Sequence, residues 1–92
     1  MIRRTFALLL AALAGCSTSI DAADYDQSCK AATDCRAIFT GDVCECGCSM
    51  EAINVADYPR YVDDRGNPDC GTTCKLCPAA VEVCTMGVCG VQ

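Results

Sequence analysis

Cysteine is the residue type through which this chain could do chemistry. Eleven of its 92 residues are cysteines: Cys16, Cys29, Cys35, Cys44, Cys46, Cys48, Cys70, Cys74, Cys77, Cys84 and Cys89. Thiols can bond to one another, hold a soft metal ion as thiolates, or exchange as redox pairs. Cys44-x-Cys46-x-Cys48 and Cys74-x-x-Cys77 have spacings that suit zinc or copper(I), and Cys74-Lys75-Leu76-Cys77 has the spacing of a redox dithiol. Acid–base catalysis has less to work with. Histidine and tryptophan are both absent, which removes the commonest general base, and the carboxylates are scattered among polar residues rather than set in apolar material. Asp57 reads as a helix-start residue and Asp63-Asp64 as a solvated helix face, so neither an enzyme nor a cofactor is expected.

The compartment decides between these readings, because cytosolic thiols stay reduced while exported ones pair. Met1 to Arg4 is a short positive start, and Phe6 to Leu13 is an uninterrupted apolar run followed by small residues, the anatomy of a secretory signal. The run is well short of the roughly 20 residues that cross a bilayer. Leu13-Ala14-Gly15-Cys16 resembles the lipobox of bacterial lipoproteins, with Ser17-Thr18-Ser19 following as is common in that family. The resemblance implies cleavage before Cys16, a diacylglyceryl thioether on its sulfur and further acylation of its new amino group. At about 0.8 kcal/mol per buried methylene, two or more such chains anchor a protein almost irreversibly. Ser17, where Asp would signal retention, resembles the pattern sent to the outer membrane. Arg3-Arg4-Thr5-Phe6 also resembles a twin-arginine signal for folded export. Ten cysteines cannot pair in a reducing cytosol, however, so unfolded export followed by oxidation is the consistent route.

Setting Cys16 aside leaves ten cysteines, an even number, enough for five disulfides. A domain this small buries too little apolar surface to be stable on its core alone. Disulfides of about 3 kcal/mol each would offset that deficit. Connectivity is open at this level, with one limit. Alternate residues of a strand lie about 7 Å apart, at the edge of bridging distance, so Cys44, Cys46 and Cys48 are expected to find partners beyond the helix described below. The alternative is a thiolate site for zinc or copper, which oxidation outside the cytoplasm opposes; no metal is expected.

The elements that must position these sulfurs are short. Cys16 to Asp26 reads as a lipidated flexible tether after a signal over residues 1–15, leaving 27–92 as the cysteine-rich domain. Arg36 to Thr40 has strand content, Gly41-Asp42 is a turn signal, and Val43 to Cys46 reads as the returning strand of a first hairpin. The spacing predicts a helix over about 55–65: Tyr58, Tyr61 and Val62 share a face, Pro59 fits the first turn, and Gly66-Asn67-Pro68 ends it. Val81 to Val83 and Val88 to Val91 flank Thr85-Met86-Gly87 as a second hairpin whose Gly87 supplies a positive φ. The expected fold is a small disulfide-rich α+β domain with one short helix and two short β-hairpins.

Removing Arg3 and Arg4 with the signal takes the formal charge from −5 to −7. The remaining basic residues are dispersed, which excludes nucleic acid as an electrostatic partner. Cys29-x5-Cys35, Ala52-Ile53-Asn54 and Cys84-x4-Cys89 together resemble cysteine-rich lipoproteins of myxobacteria. That resemblance spans most of 25–90 and implies architecture without an activity. The expected role is a non-enzymatic binding or structural module of the cell envelope. Its partners are the membrane, through the anchor on Cys16, and an envelope or extracellular protein. A protease-inhibitor-like module is the alternative. Lys75, in a two-residue gap between cysteines, and Arg60, on the helix, are its candidate contact residues. Tyr58 and Tyr61 are expected in the core rather than in an exposed contact patch.

Overall fold

The computed structural model describes residues 18–71, 74 and 76–92. The signal segment, the lipobox Leu13 to Cys16, Ser17 and Lys75 lie outside the described residues. Among the described residues the chain forms three antiparallel strand pairs and one α-helix. β1 (Ser19–Ile20) pairs with β3 (Gly41–Asp42), β2 (Cys35–Phe39) with β4 (Met50–Asn54), and β5 (Glu82–Thr85) with β6 (Val88–Val91). A 3-10 turn, Val55–Asp57, leads into the helix α1 (Tyr58–Arg65). The protein is therefore a small disulfide-rich α+β domain.

α1 ends where its sequence says it must. Pro59 sits in the first turn, where a missing N–H costs nothing, and Gly66 caps the C-terminus at φ 63°, its N–H bonding to the Val62 carbonyl at 3.1 Å. Of the three residues predicted to share its buried face, Tyr61 is buried and Tyr58 half-buried. Val62 is exposed, because so short a helix has room for only a narrow apolar stripe. The β5–β6 hairpin closes through a two-residue turn in which Met86 (φ 53°) and Gly87 (φ 80°) both take the left-handed conformation that matches strand twist.

The first hairpin differs in its partner. β2 pairs not with Val43 to Cys46 but with β4, in the register Cys35↔Asn54 to Phe39↔Met50. The reason is burial: adjacent Ala52 and Ile53 are both fully enclosed, so β4 is covered on both faces and belongs at the centre. Gly41-Asp42, read as a turn, forms β3 instead. Beyond it, Cys46 takes φ 58° and the chain carries no strand from Val43 to Ser49.

Residues 19–26, read as tether, belong to the domain. Ile20, Ala22 and Tyr25 are buried in one cluster with Ile38, Ile53 and Tyr61. Asp21 caps the 3-10 turn Ala22–Asp24 by accepting from the Ala23 N–H. A second cluster, Cys35, Ala52 and Cys89, carries the sulfur-rich side of the same core. The free edge of β2 is blunted by side chains: the Ala37 N–H donates to Glu82 and the Phe39 N–H to the Tyr61 hydroxyl. Gln27 spans β4 and β6, its amide donating to the Ala52 carbonyl while its own carbonyl accepts from the Cys89 N–H.

Candidate functional site

All ten cysteines after residue 16 pair with one another. Cys29–Cys84 and Cys35–Cys89 tie the segment entering β2 to the β5–β6 hairpin. Cys44–Cys70, Cys46–Cys74 and Cys48–Cys77 tie the loop before β4 to the segment after α1, in ascending order along both strands of chain. The partners of Cys44, Cys46 and Cys48 thus lie beyond the helix, as their spacing required. The loop that presents them is not a strand. The positive φ at Cys46 breaks the extended backbone there, and successive sulfurs still reach one segment. Sulfurs engaged in these bridges are not thiolate ligands, so the Cys44-x-Cys46-x-Cys48 and Cys74-x-x-Cys77 spacings serve pairing here.

The Cys46–Cys74 bridge and Cys77 of this ladder help to line a recess of about 190 Å³. Phe39 and Tyr61 come from the core side, Val43 and the Cys46–Cys74 bridge from the ladder, Leu76 from the far loop, and Arg65 from the end of α1. The helix places Arg65 because Gly66 stops it there, and β2 places Phe39 at its open end. Phe39 is 43% exposed and Leu76 98%, so two large apolar side chains stand in solvent around one opening. Scattered exposed apolar groups are ordinary; these two converge on one concavity. Arg65 also borders a second, more polar recess lined by Asn67, Pro68 and Asp69. Among the described residues its guanidinium has no carboxylate within ion-pair distance; the one ion pair found is Arg60–Asp57 at 3.0 Å.

The titratable groups elsewhere have structural work. Ser28, through its hydroxyl and its N–H, holds the Asp26 carboxyl below the usual carboxylate range. The N–H groups of Lys30 and Ala31 do the same for Asp34, and the Asp26 N–H with the Arg60 guanidinium does so for Asp57. Asp57 does not cap α1 with its side chain; its Oδ2 ties residue 26 to Arg60. Asp64, read as part of a solvated face, accepts from the Tyr25 hydroxyl at 2.7 Å. Burial, reinforced by Asp64, pushes the Tyr25 phenol up to about 12. Arg60, one of the two inhibitor-type candidates, is helical and committed. Its guanidinium lies 4.4 Å from the Tyr25 ring centroid and donates to the Asp24 carbonyl and to Asp57.

Sequence reasoning missed the recess. Its walls come from four separate stretches of chain, and the exposed Phe39 and Leu76 carry no periodic signal. Comparison of the chain with family models, with curated proteins and with solved structures gives no significant match.

Proposed function

We propose that the chain is a cell-envelope lipoprotein anchored through acyl chains on Cys16, and that its domain is a non-enzymatic binding module whose contact site is the recess beside the disulfide ladder. The observation that carries this reading is the closure of the cysteine set. The ten cysteines after residue 16 use one another up, so none of them remains as a disulfide partner for Cys16. An odd cysteine after an apolar run, within Leu13-Ala14-Gly15-Cys16, is then best accounted for by lipid. The oxidised domain fits the same compartment. Among the described residues no helix is long and apolar enough to cross a membrane.

The recess supports the binding half of the proposal. Apolar cavities of about 150 Å³ hold a benzene ring, so this one is of a size to take a single aromatic or branched aliphatic group of an envelope protein. Arg65 and Asp42 both line it, so its rim offers one charge of each sign to the polar groups beside that side chain. The acidic surface of the rest of the domain keeps other anionic surfaces away.

Mass spectrometry of the protein purified from its native host tests the anchor. The expected result is an acylated Cys16 at the mature amino terminus, with detergent-phase partitioning that Cys16→Ser abolishes. An unacylated terminus, or retention of Met1 in a reduced protein, overturns it. For the recess, capture of cross-linked envelope proteins should be lost in Phe39→Asp and Leu76→Asp. Capture that is indifferent to both removes the recess from the proposal.

A further inference from the structure

Outside the ladder, two disulfides are packed against each other. The sulfurs of Cys29, Cys35 and Cys89 all lie within 4.8 Å of one another, although Cys29 is bonded to Cys84 and Cys35 to Cys89. Cys84 and Cys89 are in turn direct partners across the β5–β6 hairpin. Directly opposed residues of antiparallel strands have Cα atoms about 4.5–5.5 Å apart, within the span a disulfide bridges. The four sulfurs therefore have two complete pairings open to them. The observed one staples the hairpin to the segment entering β2; the other closes Cys29 onto Cys35 and Cys84 onto Cys89, releasing the hairpin from that segment.

We infer that this cluster is a thiol-exchange site, at which a thiolate from outside converts one pairing into the other without net oxidation or reduction. Cys29 and Cys84 are half-buried while Cys35 and Cys89 are buried, so the first bridge is the accessible one. The external thiolate attacks the Cys84 sulfur, forming a mixed disulfide and expelling Cys29 as thiolate. That thiolate, already beside the second bridge, attacks the Cys35 sulfur, forms Cys29–Cys35 and expels Cys89 as thiolate. Cys89 then attacks the Cys84 sulfur of the mixed disulfide, forms Cys84–Cys89 and expels the original thiolate. Two disulfides are consumed and two formed, and the thiol is regenerated, so the reagent acts catalytically. Attack at the Cys29 sulfur instead expels Cys84, which is not one of the three mutually close sulfurs. The direction of attack thus matters.

The ladder offers no such route. Each of its bridges joins a separate position on one loop to a separate position on the other, and among the described residues no sulfurs of the ladder form a comparable group. Exchange at the cluster changes how the terminal hairpin is held while the recess and its ladder stay closed. This inference does not depend on the proposed binding role or on the anchor.

The test uses the oxidised full chain with glutathione well below stoichiometric amount at neutral pH, quenched in acid and mapped by non-reducing peptide mass analysis. Cleavage after Lys30 and Arg36 places Cys29 and Cys35 in different peptides, while Cys84 and Cys89 stay together after cleavage at Lys75. The expected result is a Cys29–Cys35 cross-linked pair and an internal Cys84–Cys89 bridge, appearing together at tenfold or more the rate of any ladder rearrangement, with no rise in total thiol. Amide exchange in the β5–β6 hairpin should quicken in the same samples. Opening of Cys29–Cys84 to two free thiols with Cys35–Cys89 intact, or mispairing with ladder cysteines as the first product, overturns the inference.

Discussion

Two regions of this domain hold their shape by different means. In the body, β1 to β4, α1 and the β5–β6 hairpin enclose Ile38 and Ile53 completely, and edge donors find side-chain acceptors. Its two disulfides lie against that core, with Cys35 and Cys89 buried. In the ladder region, residues 43–49 and 66–80, no helix or strand is formed among the described residues. From residue 67 to 80 no described backbone group bonds to another backbone group. Cys46, Cys48 and Cys74 are exposed. Disulfides in the body reinforce a conformation that burial and hydrogen bonds already specify, whereas in the ladder they are the specification. Any perturbation should therefore divide according to region.

The largest expected effect comes from removing one bridge of each kind. Cys35→Ala/Cys89→Ala reopens the short loops to the neighbouring Cys29–Cys84 bridge, a loss of about 3 kcal/mol by chain entropy, and leaves a void in the core that brings the total to about 4–5 kcal/mol. That is most of the stability of a domain this size. Cys46→Ala/Cys74→Ala is flanked by bridges on both sides and lies at the surface, so it should cost only about 2 kcal/mol, with the change confined to the recess wall. Denaturant unfolding monitored beside amide exchange checks both. Equal losses would mean that the ladder is as integral to folding as the core.

Ile53→Ala sharpens the contrast without touching sulfur. Ile53 is fully buried in the cluster with Ile38 and Tyr61, so truncation should destabilise by about 3 kcal/mol. The ladder disulfides should remain closed, as thiol trapping of the native variant would show. The same residue illustrates what the sequence could and could not say. The parity of ten cysteines, the ends of α1 at Pro59 and Gly66, and the turn at Met86-Gly87 are local signals, and the structure has all of them. β4 gave no such signal. A strand covered on both faces lacks alternation, and Val43 to Cys46 offered a nearer and more strand-like partner for β2. Ile20, Ala22 and Tyr25 were hidden among Asp21, Asp24 and Asp26, because a few apolar residues in an acidic stretch reveal their burial only once the rest of the core is in place. The recess was illegible for a related reason: it exists only where bridges bring four stretches together.

Tyr61 is where the two regions meet, since its ring is in the core and also lines the recess, while its hydroxyl accepts from the Phe39 N–H at 3.3 Å. Tyr61→Phe keeps the ring and strands that donor at the edge of β2, so it should cost about 1 kcal/mol. Exchange of the Phe39 amide should quicken with little change at Ile38 or Ile53. Uniform acceleration across β2 and β4 would place the hydroxyl in the cohesion of the core rather than at its border with the recess.

The smallest effects are those of pH, and they report on the body, where the displaced groups lie. Tyr25 keeps its proton up to about 12 in the folded protein, against 10.0 for the free side chain, because its ring is buried and its hydroxyl donates to Asp64. The folded state then binds this proton more tightly than the unfolded state does. Its contribution is complete below pH 10 and lost as the pH rises from 10 towards 12. Asp26, Asp34 and Asp57 run the other way. Their carboxylates accept from backbone and side-chain donors, their folded pKa values are lowered, and the stability they add is present above the ordinary carboxylate range and lost as the pH falls below it. Denaturant midpoints across pH, with alkaline exposures short enough to leave disulfides intact, should fall at both ends. Tyr25→Phe should flatten the alkaline limb and leave the acid limb alone, and Asp57→Asn should weaken the acid limb only. An alkaline limb unchanged in Tyr25→Phe would mean that the phenol of residue 25 reaches solvent as readily folded as unfolded, and that the amino-terminal stretch is held less firmly to α1 than its burial indicates.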